Sequence, residues 1–221
     1  MDSPKYNRTF HFPFSPGATN DDKIATSLSS LVGVPIVLTE KVDGSNTSLE
    51  AEGCYARTHA GAPTHKSFDQ LKALHASVKY VIEPGTQIFG EWCYAKHSIE
   101  YSALPNYFLP FAVRYLQENG EHRWGSWLDV ELWAGDIGVS TVPVLFIGKV
   151  SSEKELKELV ESLMLEPSLC GGIREGVVAR IAESFDDKDF STSVLKCVRS
   201  NHVQTSDHWK DQEIIKNKLK S

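Results

Sequence analysis

Four charged side chains interrupt apolar runs of this 221-residue sequence. Lys41 ends "VPIVLTEK" and Lys196 lies within "SVLKCV", while Glu91 lies within "TQIFGEW" and Glu175 opens "EGVVARI". A charged group in an apolar strand is unfavourable unless it is paired or has a function. A lysine amine that burial or a nearby cation holds neutral is a nucleophile. The four residues together predict a shared polar pocket, although Lys41 alone would better suit a solvated turn at a strand end.

The elements that must position these residues are mostly strands. Apolar runs rich in β-branched and aromatic residues recur along the chain, and Gly, Pro and Asn separate them, which predicts strands. No glycine-rich phosphate loop follows any of these runs, so the common mononucleotide-binding folds are not supported. The six runs are "VPIVLTE", "TQIFGEW", "YFLPFAV", "TVPVLFIG", "EGVVARI" and "SVLKCV".

Two stretches have the periodicity of amphipathic helices, and a third is shorter. Residues 67–82 carry apolar side chains near a 3.6-residue period. Residues 151–165 combine a capping box of Ser152 and Glu155 with one apolar face. Residues 126–134 form the shorter candidate. The mixture of strands and helices predicts an α+β fold with mostly antiparallel sheets.

Composition and charge limit the class of protein. With 41% hydrophobic and 24% charged residues, the chain is predicted to fold around a real core. A net charge of −6 is unlike that of proteins that hold nucleic acid by bulk charge, which leaves a local basic patch as the alternative. The sequence has no apolar stretch long enough to span a membrane, no signal-peptide core and no CxxC pairing among its four cysteines. We therefore expect a cytoplasmic or nuclear protein with free thiols.

Six short motifs occur in order along the chain, beginning with "EKVDGSN", which matches the KxDG signature of the lysine nucleotidyltransferases at Lys41. The set, within roughly residues 5 to 209, resembles the ATP-dependent RNA ligases. A lone KxDG would be weak evidence, whereas six ordered motifs favour the family. The other five are "ARTHAG" with Arg57, "IFGEWCY" with Glu91, "LPFAVR" with Phe111, "EGVVAR" with Glu175 and "VLKCVR" with Lys196.

The resemblance implies a fold and a domain organisation. It implies an ATP-grasp-like nucleotidyltransferase domain, in which helices flank antiparallel sheets. It also implies that residues 1–221 are a single adenylyltransferase domain without the separate OB-fold that larger relatives use to clamp nucleic acid.

The resemblance also implies a reaction. Lys41 would attack the α-phosphate of ATP, release pyrophosphate and form a lysyl-AMP. The AMP would then pass to an RNA 5′-phosphate, and a 3′-hydroxyl would attack and expel it. Mg²⁺, with Mn²⁺ as an alternative, would neutralise the phosphates, and Glu175 is the implied metal ligand. Lys196 would help to lower the pKa of Lys41, and Asp43 would orient either Lys41 or the waters of the metal.

Further roles in nucleotide binding follow from the same resemblance. Phe111 would stack on adenine, although a core position would suit it equally well. Glu40 would accept from the adenine amino group and so favour ATP over GTP. Glu91 would accept from the ribose hydroxyls. Arg57 and Lys196 would contact phosphates, with an ion pair as the alternative for Arg57.

Two residues are additional candidates for phosphate contacts. Asn46 could donate to a phosphate or to the 5′ end of the strand. Many relatives have a second lysine two positions after the first in the last motif, and here that position is Val198. Arg199 follows it and is a candidate phosphate contact, or else a surface residue.

Three other functions stay open at the level of the sequence. Within the superfamily, the alternatives are an mRNA capping guanylyltransferase that uses GTP and a DNA ligase. From another class, the chain could be a nucleotide-binding module that has lost strand joining. The implied absence of a clamping domain motivates this last alternative.

Overall fold

The computed structural model describes residues 5–57, 61–200 and 214–220. Within these residues the chain forms eleven strands, most of them longer than two residues. The strands are β1 (Phe10–His11), β2 (Ile36–Lys41), β3 (Ser45–Leu49), β4 (Cys54–Ala56), β5 (Thr86–Trp92), β6 (Phe108–Leu116), β7 (His122–Trp124), β8 (Val144–Gly148), β9 (Gly176–Ile181), β10 (Phe185–Asp186) and β11 (Val194–Val198).

The strands form two sheets. The first sheet has the order β1-β11-β9-β2-β8, and all its neighbours are antiparallel except the parallel pair β1 and β11. The second sheet has the order β10-β7-β6-β5-β3-β4 and is antiparallel throughout. This arrangement confirms the predicted α+β fold with mostly antiparallel sheets. All six predicted strands are present, as β2, β5, β6, β8, β9 and β11.

Helices connect and flank the strands. The described α-helices are α1 (Asp69–Val78), α2 (Trp127–Asp136), α3 (Glu153–Met164) and α4 (Phe190–Ser193), and 3₁₀ turns cover Ser29–Leu31, Lys66–Phe68 and Asp187–Asp189. The three predicted helices correspond to α1, α2 and α3, although α1 ends four residues before the predicted end.

The N-termini of α2 and α3 show how the local sequence determines where a helix begins. In α3 the Ser152 side chain accepts from the Glu155 amide at 3.1 Å, as predicted. The Glu155 carboxylate, however, accepts from the amide of Ser151 rather than Ser152, so only half of the predicted capping box forms. The complete box is in α2, where Ser126 and Asp129 bond each other in both directions.

Two apolar clusters lie on the two faces of the first sheet. Strand residues alternate between faces, so Ile36 and Leu38 point to one side and Val37 to the other. Ile36 and Leu38 pack in a cluster with Leu156 of α3. Val37 belongs to a cluster with residues of the second sheet, such as Ile88. The first sheet therefore lies between α3 and the second sheet, and each odd-numbered residue of β2 faces the second sheet.

Candidate nucleotide site

Lys41 is the last residue of β2 and lies on the face of the first sheet that meets the second sheet. It pairs with Gly176 on β9, and Glu175 immediately precedes that strand. The Lys41 Nζ lies 2.7 Å from both carboxylate oxygens of Glu175. The Lys41 side chain is 28% exposed and that of Glu175 only 6%, so the ion pair is sheltered while the amine can still be reached.

Lys196 lies on the same face as Lys41. In the register of the first sheet, Val178 pairs with Lys196 on one side and with Thr39 on the other. Residues that pair directly share a face, and Thr39 and Lys41 are two positions apart on one strand. The pKa of Lys196 is lowered, first by burial and then by the positive charges of Lys41 and Arg57. The negative charges of Asp22 and Glu175 oppose this shift but do not outweigh it. The structure thus brings together two lysines that are far apart in sequence.

The pKa of Lys41 differs from the expectation that its surroundings hold the amine neutral. Burial does lower this pKa, but the carboxylate charges of Glu175, Glu91 and Asp43 outweigh burial, and the net direction is upward. The reason is the contact with Glu175, which also hydrogen-bonds the ammonium. Without a nucleotide, then, the structure favours a protonated Lys41, and it is Lys196 whose pKa is lowered.

Asp43 is held by backbone amides in the turn after β2. Its Oδ2 accepts from the amide of Ser98 at 2.7 Å and from that of Ile99 at 2.9 Å. The Asp43 amide in turn donates to the hydroxyl of Tyr101 at 2.8 Å. These bonds attach the turn that follows Lys41 to the segment that follows β5.

Glu91 lies near the end of β5 and approaches the same turn. Its pKa is raised to about 8, mainly by burial, and the charges of Glu175 and Asp43 add to the rise. The charge of Lys41 and a hydrogen bond from the Gly44 amide oppose it. A Cβ on Gly44 would lie 2.7 Å from the Trp92 carbonyl oxygen and 3.1 Å from Cγ of Glu91. Gly44 therefore permits the close approach of the turn to β5, which brings Glu91 to Lys41.

Glu40, which was expected to accept from the adenine amino group, already has hydrogen-bond partners in the structure. It precedes Lys41 on β2 and therefore points to the opposite face, where it is 1% exposed. One carboxylate oxygen accepts from the Ser168 hydroxyl, and the other accepts from the Leu169 amide at 2.9 Å. The buried guanidinium of Arg174 lies 3.8 Å from the second oxygen. Because the carboxylate already has these partners, a role as acceptor for the adenine amino group is not supported.

Two further residues predicted to bind the nucleotide, Asn46 and Phe111, lie on the second sheet. Asn46 of β3 pairs directly with Glu91 of β5. Phe111 lies in the register shift between β5 and β6, where Phe89 pairs with Ala112 and Gly90 with Pro110. Such a bulge redirects a side chain, and Phe111 is partly buried with its ring edge-on to Tyr6 at 5.2 Å.

Arg57 and Arg199 lie at the margins of this arrangement. Arg57 follows β4, is exposed, and is near enough to lower the pKa of Lys196. Arg199 follows β11, and its amide donates to the Glu175 carbonyl at 3.0 Å. Among the residues that the structure describes, Nε and Nη2 of Arg199 have no hydrogen-bond partner although both atoms are buried. Arg199 also lines a pocket of about 260 Å³ together with Lys96, Ser98 and Glu100.

Sequence reasoning missed several residues that support the site. Tyr101 and the two amides that bind Asp43 belong to no motif quoted above, and a backbone amide leaves no signal in a sequence. Asp22 was also missed: its Oδ1 lies 3.3 Å from Nε2 of buried His11, the residue that pairs with Lys196 across β1 and β11. Burial opposes ionisation of Asp22, but hydrogen bonds from Thr19 and the charges of His11 and Lys196 lower its pKa to about 2.

The described residues contain no ready-made metal cage. Within residues 5–57, 61–200 and 214–220, no group of three or more His, Cys, Asp or Glu could hold a metal ion. A magnesium ion does not require such a group, because it commonly binds one or two carboxylates, waters and substrate phosphates. Glu175, whose carboxylate pairs with Lys41, fits that mode of binding.

Two expectations from the sequence concern the state of the cysteines and the presence of a membrane span. Cys54, Cys93, Cys170 and Cys197 are all free and buried, which confirms the predicted free thiols. No helix in the described part of the chain is both long and apolar enough to cross a membrane.

Comparison with known proteins relates both the sequence and the fold of this chain to RNA ligases. The sequence model of the RNA ligase family matches residues 34–198, and the chain belongs to that family. Among curated proteins, none matches the chain in sequence.

Solved structures of RNA ligases share the fold. An apo Naegleria gruberi RNA ligase variant is 13% identical with a TM-score of 0.56, and the match covers 96% of this chain and 64% of that one. A Naegleria gruberi variant with ATP and Mn is 13% identical with a TM-score of 0.53, over 91% and 62% of the two chains. An archaeal ATP-dependent RNA ligase is 15% identical with a TM-score of 0.50, over 87% and 49%. The chain thus spans about half to two thirds of the length of these proteins.

Proposed function

We propose that the protein is an ATP-dependent RNA ligase that joins 3′-hydroxyl and 5′-phosphate RNA ends through a lysyl-AMP on Lys41. The observation that carries the proposal is the position of Lys41, 2.7 Å from both oxygens of Glu175 and on the same sheet face as Lys196. These residues come from three of the six ordered motifs. Membership of the RNA ligase family supports RNA and ATP as the substrates.

Protonation of Lys41 is the first obstacle to this chemistry. The ammonium must lose its proton before nitrogen can attack phosphorus. The charge of Glu175 holds that proton in place, and Lys196 provides an opposing positive charge. ATP binding that draws Glu175 away from Lys41 would favour the neutral amine.

A divalent cation fits this proposal at Glu175. We propose Mg²⁺ or Mn²⁺, and one of the similar structures contains ATP and Mn. When bound, the ion supplies positive charge that neutralises the phosphates. Glu175 would hold it directly or through water, and Asp43, fixed by two backbone amides, would orient Lys41 or the waters of the ion.

The second sheet would bind the nucleoside. Glu91 would accept from the ribose hydroxyls, and Asn46, its direct neighbour across β3 and β5, would donate to a phosphate or to the 5′ end of the RNA. The bulge at Phe111 supports a role in stacking on adenine. Arg57 would contact a phosphate, because it is exposed and lies near Lys196.

Arg199 would bind a phosphate of ATP or of the RNA. Two buried guanidinium nitrogens without a partner among the described residues are unfavourable unless a ligand satisfies them. Phosphate is a strong acceptor for such a guanidinium. Ser98 adds a hydroxyl to the same pocket, and Lys96 adds an ammonium that Glu100 pairs with at 3.5 Å.

Incubation with ATP labelled on the α-phosphate and with Mg²⁺ tests the first step. After denaturation, wild type and the control Lys188→Ala, which alters a 77% exposed side chain, should carry label, whereas Lys41→Ala should carry none. An unlabelled wild type, or equal labelling of Lys41→Ala, contradicts the proposal. Substituting Mn²⁺ for Mg²⁺ in the same assay tests the metal.

Sealing assays separate the remaining functions. Labelling by GTP rather than ATP would indicate a capping guanylyltransferase, and sealing of nicked DNA but not nicked RNA would indicate a DNA ligase. Labelling without sealing of pre-adenylylated RNA would indicate a nucleotide-binding module that has lost strand joining. We expect ATP labelling and RNA sealing. The free thiols further support a cytoplasmic or nuclear location, which fractionation of cells would test.

The organisation of residues 1–221 as one adenylyltransferase domain stays a prediction. Unfolding in denaturant, followed by tryptophan fluorescence and by circular dichroism, would test it. Coincident single transitions are expected, and separate transitions would contradict it.

A further inference from the structure

Residues 214–220, here called the C-terminal strap, cross the segment 93–104 that follows β5. The strap bonds this segment through its backbone at both ends. The Lys96 amide donates to the Ile215 carbonyl at 2.8 Å, and the Leu104 amide donates to the Lys218 carbonyl at 3.0 Å. The strap is thus attached along much of the segment, although it belongs to none of the family motifs.

Asn217 is the side chain of the strap that penetrates the segment. It is 1% exposed. Its Oδ1 accepts from the Tyr101 amide at 2.8 Å, and its Nδ2 donates to the carbonyls of Cys93 at 2.9 Å and Ala95 at 3.5 Å. A single amide group therefore joins the start of the segment to Tyr101.

The segment that Asn217 joins is the one that holds the turn after Lys41. The amides of Ser98 and Ile99 bind the Asp43 carboxylate, and the Tyr101 hydroxyl accepts from the Asp43 amide. Asn217 bonds the backbone on both sides of Ser98 and Ile99. The chain of contacts from the strap to Lys41 therefore passes through Tyr101 and Asp43.

We propose that Asn217 is a positioning residue for the reactive lysine. It sets Tyr101 and the Asp43-binding amides, which in turn fix the turn after Lys41. Only a side chain with both an acceptor and donors fits, because Oδ1 meets an amide and Nδ2 meets carbonyls. The inference rests on the proposed lysyl-AMP chemistry.

Asn217→Ala in the full chain tests this inference. The substitution should slow lysyl-AMP formation about tenfold or more, because small displacements of reacting groups have large effects on rate. The matched control is Lys218→Ala, since the Lys218 side chain is exposed and the residue contacts the segment through its backbone. Lys218→Ala should form lysyl-AMP at the wild-type rate.

A double substitution separates positioning from a general loss of stability. Tyr101→Phe removes the acceptor for the Asp43 amide but keeps the ring. If Asn217 acts through Tyr101, the effects of Asn217→Ala and Tyr101→Phe on the labelling rate should be less than additive. Additive effects would overturn the inference. So would a variant whose labelling rate, measured below its own unfolding temperature, equals that of wild type.

Asn217→Asp adds a measurement, the pH dependence of the labelling rate, that would not change if Asn217 only stabilised the fold. In this variant an ionised carboxylate would face the carbonyls of Cys93 and Ala95, and the acceptors would repel one another. Protonation of that carboxylate restores one donor. The labelling rate of Asn217→Asp relative to that of Asn217→Ala should therefore rise as the pH falls. A ratio that is constant with pH would contradict the assigned hydrogen bonds.

Acylation of Lys41 distinguishes failure of this inference from failure of the proposed function. Limited labelling with acetic anhydride, read by mass spectrometry, measures the reactivity of the Lys41 amine without ATP. Asn217→Ala should change the reactivity of Lys41 relative to that of Lys188, and Lys218→Ala should not. If wild type forms no lysyl-AMP, the proposed function fails, whereas an unchanged Lys41 reactivity in Asn217→Ala overturns the role of the strap.

Discussion

Lys41 and Glu175 form a bidentate ion pair, with Nζ 2.7 Å from each carboxylate oxygen. The two residues come from different parts of the chain and meet because β2 pairs with β9. Their contact is the main reason why the pKa of Lys41 is raised despite burial. The proposed nucleophile and the proposed metal ligand therefore restrain each other until a substrate binds.

Replacing Glu175 with Gln should lower the pKa of Lys41 in the nucleotide-free protein, because the amide carries no negative charge. Acetic anhydride labelling at several pH values should show a Lys41 that is more reactive at a given pH than in wild type. Formation of lysyl-AMP should nevertheless fall, because the carboxylate proposed to bind the metal is lost. Glu158→Gln, on the exposed surface of α3, is the control for both measurements. A Lys41 whose titration is unchanged in Glu175→Gln would contradict the assigned cause of the shift.

Glu91 should make stability depend on pH. Its folded-state pKa is raised from 4.5 to about 8, so the folded protein binds a proton that the unfolded chain has lost. The stability associated with this carboxyl is present below pH about 4.5 and is lost as the pH rises through about 8. Between these values the free energy of unfolding of Glu91→Gln should fall less steeply with pH than that of wild type. Urea unfolding at a series of pH values measures both slopes, and equal slopes would argue against a protonated Glu91.

Gly44→Ala should disturb the turn that follows Lys41. The added Cβ would lie 2.7 Å from the Trp92 carbonyl oxygen, which a rigid strand end cannot readily accommodate. We expect a loss of about 1–3 kcal/mol in the free energy of unfolding, together with slower lysyl-AMP formation. Gly135→Ala in α2 is the matched control, since nothing lies within 4 Å of its Cβ position. That control should stabilise the protein by about 0.5–1 kcal/mol.

Sequence alone predicted most of the longer strands, because an apolar strand leaves a local pattern in the sequence. All six predicted strands are present, and β5 has the predicted bounds of residues 86–92. Strand β3 was not predicted, because its sequence "SNTSL" is mostly polar. The short strands β1, β4, β7 and β10 were not predicted either, since two or three residues carry too little periodicity. For the site, the ordered motifs named Lys41, Glu175 and Lys196, which the structure brings together.

Other features of the site depend on three-dimensional detail that no local pattern encodes. The side on which Glu40 points follows from its strand position, but its partners Ser168 and Leu169 lie in a distant loop. The upward shift in the pKa of Lys41 depends on the summed distances to several carboxylates. The binding of Asp43 by backbone amides follows from the path of a loop rather than from residue type.

Glu40→Gln should affect stability more than nucleotide choice. Its carboxylate is buried and accepts from Ser168 and Leu169, so an amide at this position leaves a donor without an acceptor. We expect a loss of about 1–3 kcal/mol in the free energy of unfolding. The ratio of labelling by ATP to labelling by GTP should equal that of wild type. A ratio shifted toward GTP would instead support a contact between Glu40 and adenine.

Arg199→Ala should weaken phosphate binding without a matching loss of stability. The substitution removes two guanidinium nitrogens that lack partners among the described residues, so the free energy of unfolding should change by less than about 1 kcal/mol. Affinity for ATP or for 5′-phosphate RNA should fall about tenfold. The control is Arg123→Ala, which alters a half-exposed side chain paired with Asp186 at 3.3 Å. Titrations with each ligand identify the phosphate concerned, and unchanged affinity for both would contradict a phosphate contact.

The parallel pairing of β1 with β11 has a consequence for the order in which the candidate site assembles during synthesis. Lys196 takes its place beside His11, so the earliest described strand joins the last one. A ribosome releases β1 and Lys41 long before it releases β9 and β11, and until then Lys41 lacks both Glu175 and Lys196. A nascent chain therefore carries Lys41, the proposed nucleophile, without the residues that surround it. An interrupted translation product that stops before β9 would be unable to assemble the site.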